Sequence, residues 1–292
     1  MAVNDATAQP APKVATSALG LRTVSAFVLA PPVLFAVYFG SPFFELLLAV
    51  AAVVMVWEWN RLCTGGAFEM GGTIMAVAVL AASAGLAMGH PVYSVAAFTV
   101  GAAALLCVPL FARRVARNDE TKAPLVPLWQ GAGMLCIGIP CLALLWLRSD
   151  PQVGRETVIW LFAVVWCVDI GAYAFGRVIG GPRLAPTVSP NKTWAGLIGG
   201  AACAAVAGAV AAVFLEKAGW GPLAAVSAGI AVVAQGGDLM ESALKRHFGV
   251  KDSSAIIPGH GGLLDRVDGL LAASAAGALL GMTGSGGVLA WT

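Results

Sequence analysis

Apolar residues fill this chain in continuous stretches of membrane-spanning length, broken by short polar connectors and by one long polar segment near the C-terminal end. The stretches do not alternate apolar with polar as barrel strands do, so each reads as a helix whose backbone groups are satisfied internally. A span needs roughly 17–25 predominantly apolar residues. About nine stretches reach or approach that length, at residues 23–39, 43–59, 73–89, 92–111, 124–147, 157–179, 194–215, 222–234 and from 267 to between 280 and 289. The connectors carry turn chemistry, as in Gly40-Ser41-Pro42 and His90-Pro91. Pro31-Pro32 predicts a kink in the first span, tolerated where neighbouring helices satisfy the freed carbonyls. The eighth stretch is marginally short, and Gly236-Gly237 at its end predicts an interrupted or partly cavity-lining helix. The expected fold is all-α, a polytopic transmembrane helical bundle with a polar segment before the last span. Residues 1–21, rich in Ala, Pro and Thr, read as a flexible arm, and 22–292 as a single integral membrane unit. No cleavable signal peptide is expected, because the first apolar stretch leads directly into another.

Composition agrees with this class. Hydrophobic residues are 59% and charged residues 11% of the 292, against roughly 25% charge in a soluble domain. Thirty-six glycines suit close helix packing in lipid. The six cysteines form no CxxC pair and no zinc spacing, and read as small packing residues. A net charge of +2 says little, but its distribution says more. With the N-terminus inside, the inner segments hold Lys13, Arg22, Arg61, Arg113, Arg114, Arg117, Lys122, Arg177, Arg183, Lys192, Lys245, Arg246, Lys251 and Arg266, which is 14; the outer loops hold only Arg148, Arg155 and Lys217, which is 3. The positive-inside rule selects this orientation. It places the N-terminus and the long polar segment on the cytoplasmic side. No nucleic-acid partner is expected.

The polar segment, SALKRHFGVKDSSAIIPGHGGLLDRVD from Ser242 to Asp268, is preceded by Asp238 and Glu241. Asp265 and Asp268 are three apart and share a face at the start of the last span. Carboxylates set close together repel unless a cation lies between them, so Asp238, Asp265 and Asp268 read as ligands for Mg2+; Mn2+ is expected to substitute. Capping of the last span by its acids is the competing structural reading. Lys245, Arg246 and Lys251 suit phosphate neutralisation, or a positive surface patch. Gly259, Gly261 and Gly262 permit close backbone approach to a ligand, and His260 between them can bond a phosphate or act as acid–base. In the sixth span Asp169, Tyr173 and Arg177 share a face; Asp169 inside an apolar run is a functional candidate, with a structural Asp–Arg pair as the alternative. Ser189, Lys192 and Thr193 precede the seventh span and can receive phosphate at its N-terminus. Glu58 and Arg61 in WEWNR, closing the second span, read as an interfacial aromatic anchor or as a wall of the site.

These stretches together resemble the signature of the phosphatidate cytidylyltransferases, the CDP-diacylglycerol synthases. Ser242, Leu244, Lys245, Arg246, Lys251, Asp252, Gly259, His260, Gly261, Gly262, Asp265, Arg266 and Asp268 carry the resemblance, with 237–268 as the signature region. DIGAYAFGR from Asp169 and SPNKTWAG from Ser189 are similar to the family too, although the family more often has Lys where Asn191 stands. The similarity covers roughly the last 125 residues; the first half matches only in hydropathy. The resemblance implies Mg2+-dependent transfer of a cytidylyl group from CTP to phosphatidate in a bacterial cytoplasmic membrane, giving CDP-diacylglycerol and pyrophosphate. It further implies membrane lipid as a partner, a homodimer, a catalytic role for Arg266 and nucleotide contacts by Ser242. Positioning and charge neutralisation suffice for such a transfer, and no nucleophile demanding a covalent intermediate is evident. A lipid kinase would need similar residues. A transporter would show inverted repeats, and none is convincing here.

Overall fold

The structure, a computed structural model, describes residues 28–115, 125–215, 219–259 and 261–283. The arm at 1–21, His260 and the far end of the last span lie outside them. Every apolar stretch forms a helix, in the expected order. They are α1 (Val28–Phe39), α2 (Phe43–Thr64), α3 (Met70–Ala87), α4 (Pro91–Val115), α5 (Val126–Gly133), α6 (Ile139–Ser149), α7 (Gly154–Val178), α8 (Trp194–Leu215), α9 (Trp220–His247) and α10 (Leu264–Thr283). A single π turn, Met134–Gly138, joins α5 to α6 just before Pro140, whose ring removes an N–H from the helical ladder. Seven rods are long and apolar enough to cross a membrane, with Val126–Ser149 counted as one. Over its described residues α1 is shorter than a span requires, and α10 opens on Asp265, Arg266 and Asp268. The protein is a polytopic membrane-spanning helical bundle.

Two places differ from a simple succession of spans and polar connectors. First, α9 is not interrupted at Gly236-Gly237 but runs unbroken for 28 residues; of the two readings the cavity-lining one holds, through Gly237 and Met240. Gly237 is a packing surface instead of a break: a Cβ there would stand 2.9 Å from the Asp268 carbonyl oxygen of α10 and closer still to Ala272. Asp238, Glu241, Ser242 and Lys245 therefore sit on a continuous helix. Second, the connector after α7 is not plain loop. Gly180 and Gly181, with φ of 66° and 89°, turn the chain out of α7. An antiparallel hairpin follows, β1 (Arg183–Ala185) with β2 (Ser189–Thr193), in the register Arg183 to Thr193 and Ala185 to Ser189.

Side chains pack in two apolar clusters. One gathers Leu144, Leu161, Val164, Leu223 and Ile230 from α6, α7 and α9. The other gathers Val56, Met75, Val79, Met134 and Ile137 from α2, α3 and the π turn. Helix α10 is the wedge between them, giving Leu270 and Ala273 to the first and Leu264 and Leu271 to the second. Its charged start is thereby fixed where the two halves meet. Outward-facing Val206, Val213, Phe214 and Leu279 are exposed, as lipid-facing residues are.

Helices α7 and α8 approach through small residues. A Cβ on Gly196 would lie 2.8 Å from the Ala172 carbonyl oxygen, and one on Gly200 2.9 Å from that of Val168. In lipid, where burial gives no driving force between helices, this contact carries much of the association. Gly200→Val should force α8 off α7 and destabilise by roughly 1–3 kcal/mol. Gly229, whose Cβ position is open, should accept valine without loss. Thermal unfolding of both variants in detergent checks the pair; equal midpoints would contradict the packing assignment.

Candidate active site

The segment between α9 and α10 doubles back on itself. Ile257 and Gly261 exchange backbone hydrogen bonds, the Ile257 N–H to the Gly261 oxygen at 2.9 Å and the reverse at 3.2 Å. Gly259 and Gly261 make this turn at φ of 76° and 85°, which costs a glycine nothing sterically. A buried carboxylate then holds the loop. Asp265, its side chain 2% exposed, accepts the Ser253 N–H at 2.9 Å, the Ser253 hydroxyl at 3.1 Å and the Gly262 N–H at 2.7 Å on Oδ2. Its Oδ1 meets Lys245 Nζ at 2.6 Å. Lys245 also meets Glu241 Oε2 at 2.5 Å, one turn back on α9. Gly262 has no room for a side chain, because Ser253 Oγ and Glu58 Oε1 occupy the place of a Cβ.

A second polar net lies alongside. Lys192 Nζ reaches from β2 to Asp238 Oδ2 on α9 at 2.5 Å. The Ser242 hydroxyl stands 3.4 Å from Asp238 Oδ1. Asp169 of α7 interacts with Asp238, Lys192 and Arg266, and Asp268 of α10 with Asp238, Asp169 and Lys192. Three helices and the hairpin thus bring three carboxylates and two cations together. Asp268 Oδ1 also accepts the Gly269 N–H at 2.7 Å.

The expected site residues separate accordingly. Asp169, Lys192, Asp238, Asp268, Arg266 and Ser242 belong to this second net. Asp265 does not join it as a ligand: both its oxygens are taken by Lys245, Ser253 and Gly262. The shared face of Asp265 and Asp268 holds for their backbone, yet the shorter path for Asp265 is back to the loop amides. Thr193 spends its hydroxyl on the Gly196 N–H at 3.1 Å, capping α8, and Ser189 pairs across the hairpin. Lys251 is exposed, as is Arg246, which donates to the Val250 carbonyl oxygen at 3.0 Å. Arg177 turns to the Tyr173 hydroxyl at 3.0 Å and leaves Asp169 to its other charged neighbours. Ser253 and Ser254 are not among the expected site residues, whereas Glu58 takes the second of its two expected readings. The one available signal was a carboxylate inside the apolar run of WEWNR, and Glu58 is fully buried against the loop, as a wall of the site.

Among the described residues no group of three or more His, Cys, Asp or Glu stands close enough to hold a metal ion as it is. The donor chemistry of the second net fits a hard cation: three carboxylates concentrate negative charge against Lys192 and Arg266, and carboxylate oxygen is what Mg2+ takes. Beside these acids opens a cavity of about 650 Å3 between the α5–α6 rod, α9 and α10. Trp129, Leu135, Ile139 and Met240 line it, with Glu241 and Asp268 among its few polar residues. Trp129 also packs at a tilt against His247 at the end of α9, ring centroids 4.9 Å apart.

The chain is 53% identical over 149 residues to a phosphatidate cytidylyltransferase of Brucella suis biovar 1 (strain 1330), an overlap of 50% of this chain and 54% of that protein. It is 43% identical over 137 residues to a phosphatidate cytidylyltransferase of Staphylococcus saprophyticus subsp. saprophyticus, covering 46% and 51%. The chain spans about half the length of the curated relatives it matches. A match to the cytidylyltransferase family, in contrast, extends over residues 20–282 and takes in all the elements that build the two polar nets. On that extent the chain belongs to the cytidylyltransferase family.

Proposed function

We propose that the protein transfers the cytidylyl group of CTP to phosphatidate, forming CDP-diacylglycerol and pyrophosphate at the cytoplasmic face of a bacterial inner membrane. The observation that carries this is the joining of an acidic, cation-ready net to an apolar cavity through a shared residue, Asp268. A polyphosphate needs the former and an acyl chain the latter. The lipid phosphate oxygen attacks the α-phosphorus; its new P–O bond replaces the bond to pyrophosphate, which leaves with that electron pair. Asp238 and Asp268, with Asp169 beside them, would hold Mg2+, which when bound neutralises phosphate charge and polarises the α-phosphorus. Lys192 supplies positive charge next to Asp238, and Arg246, Lys251 and Arg266, all exposed, would meet phosphate oxygens. Asp265 holds Lys245 and the loop in place. His260, between Gly259 and Gly261 in sequence, is an acid–base candidate. Nine crossings, with α1 and α10 completing the seven long spans, put the N-terminus and the site on the cytoplasmic side by the positive-inside count. A homodimer is part of the same reading.

Purified protein given phosphatidate and CTP should release pyrophosphate and retain an α-labelled phosphate in the lipid. Label arriving from the γ-position would identify a kinase and overturn the reading. Activity should vanish in excess chelator and return with Mg2+ or Mn2+. Asp238→Asn and Asp268→Asn should each lose at least roughly 10²–10³-fold in kcat while remaining folded; unchanged rates and unchanged Mg2+ dependence in both would defeat the cation assignment. Lys192→Ala should weaken use of CTP more than use of phosphatidate, read by titrating each substrate separately. For topology, accessibility labelling of single cysteines should find positions 150–154 outside and 255–259 inside; both on one face would refute nine crossings.

A further inference from the structure

Glu58 lies on α2, far in sequence from the polar segment, and the proposed reaction gives it no task. It is nevertheless the most completely buried carboxylate described, at 0% exposure. Its Oε1 accepts the Ser254 hydroxyl at 2.6 Å and the Leu263 N–H at 2.8 Å; its Oε2 accepts the Leu264 N–H at 2.8 Å. Leu264 is the first residue of α10 and Leu263 the one before it. Glu58 therefore caps a helix about 200 residues away, and it does so from a neighbouring helix that cannot retreat. Trp59 donates to the Trp129 carbonyl oxygen of α5 at 2.7 Å, and Asn60 Oδ1 accepts Gln130 Nε2 at 2.9 Å, so the same turn of α2 is bolted to α5.

As a stability device this is a poor choice. A local Ser or Asp would cap α10 without burying a charge. A carboxylate with neutral donors and a helix N-terminus as its bonded partners recovers its desolvation only in part. What the arrangement does secure is place. Two carboxylates grip opposite sides of the same short loop, Asp265 from within α10 and Glu58 from α2, with Gly262 wedged between them. Fixing Leu263 and Leu264 fixes the start of α10, and one turn on lies Asp268.

We propose that Glu58 is a positioning residue for the transfer: it clamps the loop and the first turn of α10 to the N-terminal half of the bundle and so sets where Asp268 stands relative to Asp238. The inference rests on the cytidylyltransferase reading for its kinetic consequence, while the clamp itself is read independently. In Glu58→Gln one oxygen becomes an NH2 group facing an N–H or hydroxyl donor, so at least one bond is lost at constant volume. A shift of the order of 1 Å in a reacting constellation costs up to roughly 100-fold in rate.

The experiment uses the full chain in detergent micelles containing phosphatidate. Amide hydrogen exchange is followed by mass spectrometry, and steady-state kinetics are measured for both substrates. Glu58→Gln should exchange faster over 253–266 alone, with kcat reduced roughly 10–100-fold and each KM within about threefold of wild type. Ser254→Ala, which deletes one of the three bonds, should show the same pattern with a loss of roughly three- to tenfold. Loosened exchange with wild-type kcat, or exchange raised throughout the bundle with kcat and KM failing together, would make Glu58 merely structural and overturn the proposal. Should Glu58→Gln not fold, Ser254→Ala decides, and a wild-type kcat there rejects the clamp's role. Absence of CDP-diacylglycerol formation by the wild type would instead strike the cytidylyltransferase reading, leaving the clamp to be judged by exchange.

Discussion

The pairing of Lys245 with Asp265, 2.6 Å apart and with only 2% of the Asp265 side chain exposed, is the contact on which the site's architecture depends. Burying either charge alone would cost several kcal/mol, so neither helix end can leave the other. Because Asp265 also takes the amides of Ser253 and Gly262, the same ion pair folds the connecting loop back over the start of α10. Glu241 takes the remaining side of Lys245, and it lines the apolar cavity as well. One cation thereby ties together the loop, both site helices and the edge of the cavity.

Around this pair the bundle divides the work. The contact between α7 and α8 is built from glycine and backbone, and it carries Lys192 to its partner on α9. The contacts of α2 with α5 are made by indole and amide hydrogen bonds, and they carry Glu58 to the start of α10. Helix α10 receives both. Its apolar faces belong to two different clusters, so a displacement of either half of the bundle reaches the carboxylates at its head.

Much of this was readable from the amino acids. The boundaries of α8 fall where the apolar run starts and stops, since a lipid-facing helix must be apolar over its whole length. The carboxylates of the second net were legible because a charge among apolar residues has few inert explanations. Three features were not. Gly236-Gly237 looks like a break, but in lipid a glycine can equally be the flat spot against which another helix lies, and only the presence of α10 decides. The hairpin strands are three and five residues long and mix half-buried with exposed positions, too short for a pattern. Asp265 and Glu58 depend on partners whose proximity is a product of the tertiary fold, 206 residues away for Glu58 and Leu264; helical periodicity gives a face, and neither a rotamer nor a distant acceptor follows from it.

The unbroken length of α9 sets how deep in a membrane its charged end can lie. At about 1.5 Å per residue its 28 residues make a rod about 42 Å long, whereas the hydrocarbon core of a bilayer is about 30 Å thick. At least one end of the rod must rise out of the oil, and the charged end with Lys245, Arg246 and His247 is the one that gains from doing so. The acids one to three turns below then lie at the boundary where lipid phosphates already reside. A diacyl substrate could be handled there with its tails left among their neighbours. Pulling it into water would cost about 0.8 kcal/mol for each methylene exposed. In the proposed reaction that extraction would be spared, and the water-soluble nucleotide would be the partner that must travel.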